Sequence, residues 1–307
     1  MTRINELQDD LVKARKIASR YEPHREGMSS RTSSFFQSSW AERIKELEAE
    51  ISVEQAKRRK EVFELRLIGS QVANTSVPLG LLAKLAEPLN KLITNASYKM
   101  RHSKDAHSIP KEWADMLDLR LENLAFGSSR LVMSGNVSPD LVGDSPTQDA
   151  LNAIFAILGA PYEEFIDSLH TIGVKAAKNL ACVLEAMEGE NLACEFSWSP
   201  PSGEHLIWKA SIADMAHMRT LLEGVDEPIE EEETIQGIVT LLAATGRLEL
   251  KIGEAPCKVH FDKRRPELIE DYHIGQKIKI RVQKTTYLDP VEKEPVSKYE
   301  LLTDDRE

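Results

Sequence analysis

Long apolar runs, metal-spaced cysteines and glycine-rich nucleotide motifs are all missing from this chain of 307 residues. No stretch approaches the roughly 18 to 20 consecutive apolar residues that a membrane-crossing helix needs. The start, Met1, Thr2, Arg3 and then Asp9 and Asp10, lacks the apolar stretch of a secretory signal. A cytoplasmic location without membrane association is therefore expected. The three cysteines, Cys182, Cys194 and Cys257, lie far apart, with no pair spaced for a metal or a redox motif. Their apolar or strand-like surroundings predict reduced, buried thiols. A phosphate loop with its lysine, a dinucleotide fingerprint after a strand and an HExxH pair are also absent. That argues against the common nucleotide and zinc enzymes and against no others, because many folds assemble sites from scattered residues. No cofactor and no metal is expected.

What is present is a globular composition, 41% hydrophobic and 29% charged, with a net charge of −11. It suffices to bury a core. The length suggests two domains and an appendage. The pattern divides into a helical arm with a serine-rich linker (1–60), an α+β body (61–228) and a small β-barrel domain (229–307). In the arm, Ile4, Leu7, Leu11, Ala14, Ala18 and Tyr21 recur at alternating steps of three and four, a seam on one helix face. Pro23 and the serine-rich stretch from Gly27 to Ser39 stop it, and Trp40, Ile44, Leu47 and Ile51 start a second seam. Together they predict a helical hairpin or coiled-coil arm, which either packs on its own body or pairs with another subunit. Ile4, Leu7, Leu11, Ile44, Leu47 and Ile51 are the candidate partner-binding residues.

From Val62 the period changes to two: Phe63, Leu65 and Leu67 alternate with Glu64 and Arg66 up to Gly69, the pattern of a half-buried strand. Pro78 reads as the first residue of a helix striped with Leu79, Leu82, Leu85, Leu89, Leu92 and Ile93, with Pro88 as a helix-kinking flaw. Met116 to Leu124 and Arg130 to Ser134 read as a hairpin turning at Phe126, Gly127 and Ser128. Helices are predicted over Pro146 to Leu158 and Tyr162 to Met187. A second hairpin (Ala193 to Ser199, His205 to Ala210) then precedes a helix over Ile212 to Leu222. Short connections imply a largely antiparallel sheet.

The acidic run Glu230 to Glu233 after Pro228 reads as a solvated linker. Beyond it, Ile235 to Leu242, Arg247 to Ile252, Lys258 to Phe261, Lys277 to Gln283 and Lys298 to Leu302 form five short strand patterns. With a helical turn from Pro266 to Tyr272, this suits a small barrel of the OB or SH3 kind. Between Gly246 and Lys284 stand ten Lys or Arg against six Asp or Glu, formally +4, so the remainder carries −15. Lys277, Lys279 and Arg281 alternate with Ile278, Ile280 and Val282, which puts three cations on one strand face. Lys263, Arg264 and Arg265 add charge after Phe261. These six residues are the candidate nucleic-acid contacts, since such a surface attracts phosphate backbones. The same pattern also serves a plain wet face whose lysines blunt an edge.

The body offers one dense polar cluster around histidine: Arg101, His102, Lys104, Asp105 and His107. A catalytic role would need a partner brought in by the fold; a solvated loop before Pro110 is the default. His260 and Asp262 share a strand face, and Gly127, Ser128 and Ser129 lack the spacing of a nucleophile elbow. No catalytic residue is assigned.

Several short features carry a resemblance. They are the strand from Phe63 to Gly69, the leucine-rich helix from Pro78 to Ala96, the phrase Leu124, Ala125, Phe126, Gly127, Ser128, and a terminal barrel opening Ile235, Gln236, Gly237, Ile238, Val239. Over residues 62 to 303 the chain resembles bacterial proteins of unassigned function with an α+β body and a small C-terminal barrel, met in accessory or mobile gene clusters. The resemblance implies an accessory protein of a multi-protein system, of the defence or toxin-related kind, and transfers no catalytic residue. The expected function is that of a non-enzymatic adaptor. It would meet a protein partner, or itself, through the arm, and a partner or nucleic acid through the barrel. The alternatives are an enzyme with its site in the body and a purely structural oligomerisation protein.

Overall fold

Helix α1 (Arg3–Ala18) turns Leu7, Leu11 and Ala14 toward Trp40, Ile44, Leu47 and Ile51, so the two seams close on each other in an apolar cluster of their own. Arg15 and Glu48 pair beside it at 2.8 Å. This is a computed structural model, and it describes residues 3–18, 40–41, 43–44, 47–48, 51, 60–72, 76–125, 129–136, 145–200, 205–243, 246–262 and 265–302.

Strand β1 (Lys60–Ile68) forms the centre of the body. It lies between β3 (Ser129–Asn136) and β4 (Ala193–Trp198), with β2 (Arg120–Ala125) and β5 (Leu206–Ala210) at the edges, in the order β2-β3-β1-β4-β5. Every pairing is antiparallel. Phe63, Leu65 and Leu67 project from β1 into a core shared with Leu85, Leu89, Leu92 and Ile93 of α2 (Leu79–His102). Full burial of each such side chain contributes about 1.5–3 kcal/mol. Around α2 pack α4 (Pro146–Gly159), α5 (Tyr162–Ile172) and α6 (Val174–Gly189), and α7 (Ile212–Glu223) packs on α6. Local signals start these helices: Ser145 accepts a hydrogen bond from the Gln148 amide at 3.0 Å, and Ser211 and Asp214 form a reciprocal capping box.

Several sequence expectations change. Met116 and Leu117 end a short helix α3 (Lys111–Leu117) rather than begin a strand. Asp118, left-handed at φ 43°, separates that helix from β2, so the alternation of Leu117, Leu119 and Leu121 straddles a helix end. Tyr162 to Met187 is two helices, parted by Gly173 at φ +87°. Pro78 precedes α2 as its cap, Pro88 lies within the helix, and Leu79 is 82% exposed while Leu81 is buried in its place. Strand β1 is covered on both faces: Glu64 is buried and pairs with Arg130 at 3.2 Å. Crowding holds the His205 imidazole, at the start of β5, below its ordinary pKa; the Arg15 charge adds to the effect and Glu48 opposes it. Cys194 is buried, but Cys182 is exposed and Cys257 half-buried.

The terminal strands close into a barrel in the order β10-β8-β7-β6-β9. They are β6 (Ile229–Ala243), β7 (Arg247–Ile252), β8 (Ala255–His260), β9 (Lys277–Leu288) and β10 (Pro295–Leu301), with a 3-10 turn at Pro266–Leu268. All contacts are antiparallel except β8 with β10. Ile235, Val239, Leu248, Leu250, Val259, Ile278, Ile280 and Val282 fill it. The acidic run is not a linker: Glu230 to Glu233 belong to β6 and lie opposite Val282 to Thr285 of β9. No helix among the described residues is long and apolar enough to cross a membrane.

Candidate functional site

Alternation along β9 buries Ile278, Ile280 and Val282 and turns Lys277, Lys279 and Arg281 outward. The strand register then decides what each cation meets. Arg281 reaches the Glu232 carboxylate of β6 at 2.7 Å, and Lys284 lies 3.7 Å from Glu233, so the acidic run neutralises the later part of the stripe. Lys277 stands beside exposed Ile238, which has Lys251 of β7 on its other side, and Lys279 stands beside Gln236. Among the described residues, Lys251, Lys277 and Lys279 are exposed with no ion-pair partner. Lys263 and Arg264 lie outside the described residues. Arg265 is exposed and pairs with its near neighbour Glu267 at 3.2 Å.

The other side of the barrel faces the body through polar contacts. Lys298 of β10 pairs with Asp167 of α5, and the Tyr162 hydroxyl donates to Asp289 in the turn between β9 and β10. Burial pushes the Asp167 carboxyl up, but Lys298 outweighs it and holds the group below its ordinary value. Deeper in, Lys99 at the end of α2 donates to the Glu300 carboxylate and to the Ser103 carbonyl, both at 3.2 Å. The His170 Nε2 lies 3.0 Å from the same carboxylate, poorly aligned for a hydrogen bond, and Nδ1 is 2.9 Å from the Tyr287 hydroxyl. Burial raises the Glu300 carboxyl, yet His170 and Lys99 together hold it down at about 2. Burial drives the Tyr287 hydroxyl well above its usual range. These four side chains join α2 and α5 to β9 and β10.

Beside this network opens a cleft of about 740 Å³. Arg101, His102 and Lys104 line its body wall; His260, Phe261 and Arg265 line its barrel wall. Arg101 pairs with buried Asp149 at 3.5 Å. The His102 ring lies 4.2 Å from the Tyr98 ring and 5.1 Å from the Trp113 ring, centre to centre. Burial first, and the Arg101 charge second, lower the His102 pKa.

The histidine cluster of the sequence is thus dispersed. His102 faces the cleft, Asp105 accepts from the Lys175 amide at the start of α6, and His107 lines a separate groove with Lys91 and Lys175. Ser129 is buried, its hydroxyl donating to backbone carbonyls. Leu7, Leu47 and Ile51 are buried in one apolar cluster and Leu11 and Ile44 partly so, while the side chain of Ile4 lies outside the described ones. Sequence reasoning gave no role to Lys99, His170 or Glu300, because their neighbours lie on other elements; no local motif marks them. Among the described residues no group of three His, Cys, Asp or Glu is placed to hold a metal ion. Compared with protein-family models, with curated proteins and with solved structures, the chain matches none.

Proposed function

We propose that this chain is a non-enzymatic accessory protein that binds a nucleic-acid backbone through the outer face of its barrel. The observation that carries the reading is the trio Lys251, Lys277 and Lys279, exposed and without acidic partners around Ile238. Adjacent strands are about 4.8 Å apart, so Lys251 and Lys277 flank Ile238 at a separation of about 10 Å, within reach of neighbouring phosphates. The strand order, the single parallel contact between the third and fifth strands and the turn between the third and fourth support an oligonucleotide-binding type of barrel over an SH3-like one. Fold analogy alone assigns no function, so the free cations carry the weight. The hairpin, its seams closed on each other, presents an outward face with Val12 exposed to a protein partner of a multi-protein system.

The test is fluorescence anisotropy of a labelled single-stranded oligonucleotide across a salt series, with the intact chain and with Lys277→Glu/Lys279→Glu. Each phosphate contact contributes about −0.7 to the slope of log affinity against log salt, so losing two should flatten it by about 1.4. Affinity should fall about equally for every sequence tested. Binding that ignores salt, or that the double variant leaves intact, would remove the proposal.

A further inference from the structure

The cleft between body and barrel stands apart from the lysine face, and its chemistry is of a different kind. Its walls come from two separately cored units, one built on the five-stranded sheet and one inside the barrel, and junctions of this kind are where ligand sites concentrate. At about 740 Å³ it is far larger than a bare anion needs and suits a molecule of nucleotide size. Its floor is fixed: Lys99 donates to the Glu300 carboxylate, His170 lies against the same carboxylate, and Tyr287 meets the other ring nitrogen of His170.

The rim is not tied in that way. Lys104 is exposed and has no partner among the described residues; Arg265 is exposed and held only by Glu267, two residues away. Both can turn into the cleft they line, as phosphate ligands do. Two ring systems are also present. Phe261 lies at the barrel wall with its ring packed into the barrel core, and His102, exposed, is backed by Tyr98 and Trp113 at the body wall. Burial first, and the Arg101 charge second, hold the His102 imidazole below its ordinary pKa, and its ring offers a π face. Glu230, Asp262 and Gln283 also line it, with acceptors for hydroxyl or amino groups. Cations for a phosphate, flat rings for a base and acceptors for sugar or base hydrogens are the requirements of one class of molecule.

We infer that the cleft binds a nucleotide, its phosphate at Lys104 and Arg265 and its base against His102. The nucleotide is either free or the terminal unit of a strand, and the inference does not depend on the lysine face of the barrel.

Three proteins separate the possibilities: the intact chain, Lys104→Glu/Arg265→Glu, and Lys277→Glu/Lys279→Glu. Each is titrated with AMP, UMP, a 5′-phosphorylated dinucleotide and inorganic phosphate, by calorimetry and by tryptophan emission, to which Trp113 beside His102 contributes as one of four tryptophans. Saturable nucleotide binding with a change in tryptophan emission is expected, weakened about tenfold or more by Lys104→Glu/Arg265→Glu and unchanged by Lys277→Glu/Lys279→Glu. If the dinucleotide alone binds with that dependence, the source is a strand end and the site stands. No saturation by any nucleotide below about 10 mM overturns the inference. So does inorganic phosphate binding as tightly as AMP, or indifference to the Lys104 and Arg265 charges. Both substituted side chains are exposed, so loss of the fold does not confuse the result.

Discussion

Replacing Glu300 by Gln removes one negative charge from the seam between body and barrel and changes almost nothing else in shape. In the intact chain the carboxyl sits at about 2 against an ordinary 4.5, because Lys99 and His170 outweigh the cost of its burial. Each pKa unit corresponds to about 1.4 kcal/mol, so the charged group contributes roughly 3 kcal/mol at neutral pH. A second route agrees. Removing one member of a buried ion pair costs about 3–5 kcal/mol, and the Lys99 side chain left behind is 9% exposed. The sign follows from linkage: a carboxyl lowered by folding stabilises above its unfolded pKa and loses that contribution as pH falls through its folded one. Glu300→Gln should therefore be about 3 kcal/mol less stable than the intact chain at pH 7. The gap should hold down to about pH 4.5 and close toward about pH 2. Urea unfolding followed by tryptophan fluorescence, at steps from pH 7 to pH 3, measures it; other carboxylates titrate equally in both proteins and cancel. A gap below about 1 kcal/mol at pH 7 would refute the reasoning, since that is the worth of a surface pair. So would a gap that widens in acid.

Two further outcomes follow from the same geometry. At φ +87° and ψ 149°, Gly173 occupies a region closed to residues with a β-carbon, and an added one would lie 3.2 Å from Lys99 Cγ and 3.3 Å from Asp105 Oδ2. Gly173→Ala should cost about 1–3 kcal/mol in urea unfolding, and a change within about 0.5 kcal/mol would show that this junction relaxes freely. In native protein the exposed Cys182 should react with a thiol reagent, while Cys194, buried and pushed up to about 12, should react only after unfolding. Mass spectrometry of labelled peptides reads both, and equal labelling of the two thiols would contradict the placement of β4.

Much of the fold is legible in the sequence where a periodicity meets a punctuation mark. The strand from Phe63, the helix after Ser145, the helix after Ser211 and the strand Arg247–Ile252 all appear with nearly their predicted bounds, because alternation, caps and glycines act within a few residues. Errors fall where two local signals overlap. Leu117, Leu119 and Leu121 keep a strand's spacing across the end of a helix, and Gly173 lies inside an otherwise continuous helical pattern. The run from Glu230 to Glu233 reads as solvated in isolation and becomes a strand because β9 supplies partners for its backbone and cations for its carboxylates.

The sequence by itself determined that this chain has a body and a terminal barrel, that the stretch from Gly246 to Lys284 is basic within an acidic chain, and that Lys277, Lys279 and Arg281 share one face. Those are consequences of composition and of a two-residue period. Only the tertiary structure decided which of these cations stay free, since the answer depends on the register between β6 and β9. It alone brought Lys99, His170 and Glu300 together from two helices and a strand, and set Lys104 across a cleft from Arg265. Charges that meet across hundreds of residues leave no local pattern, because their attraction acts through space and not along the chain.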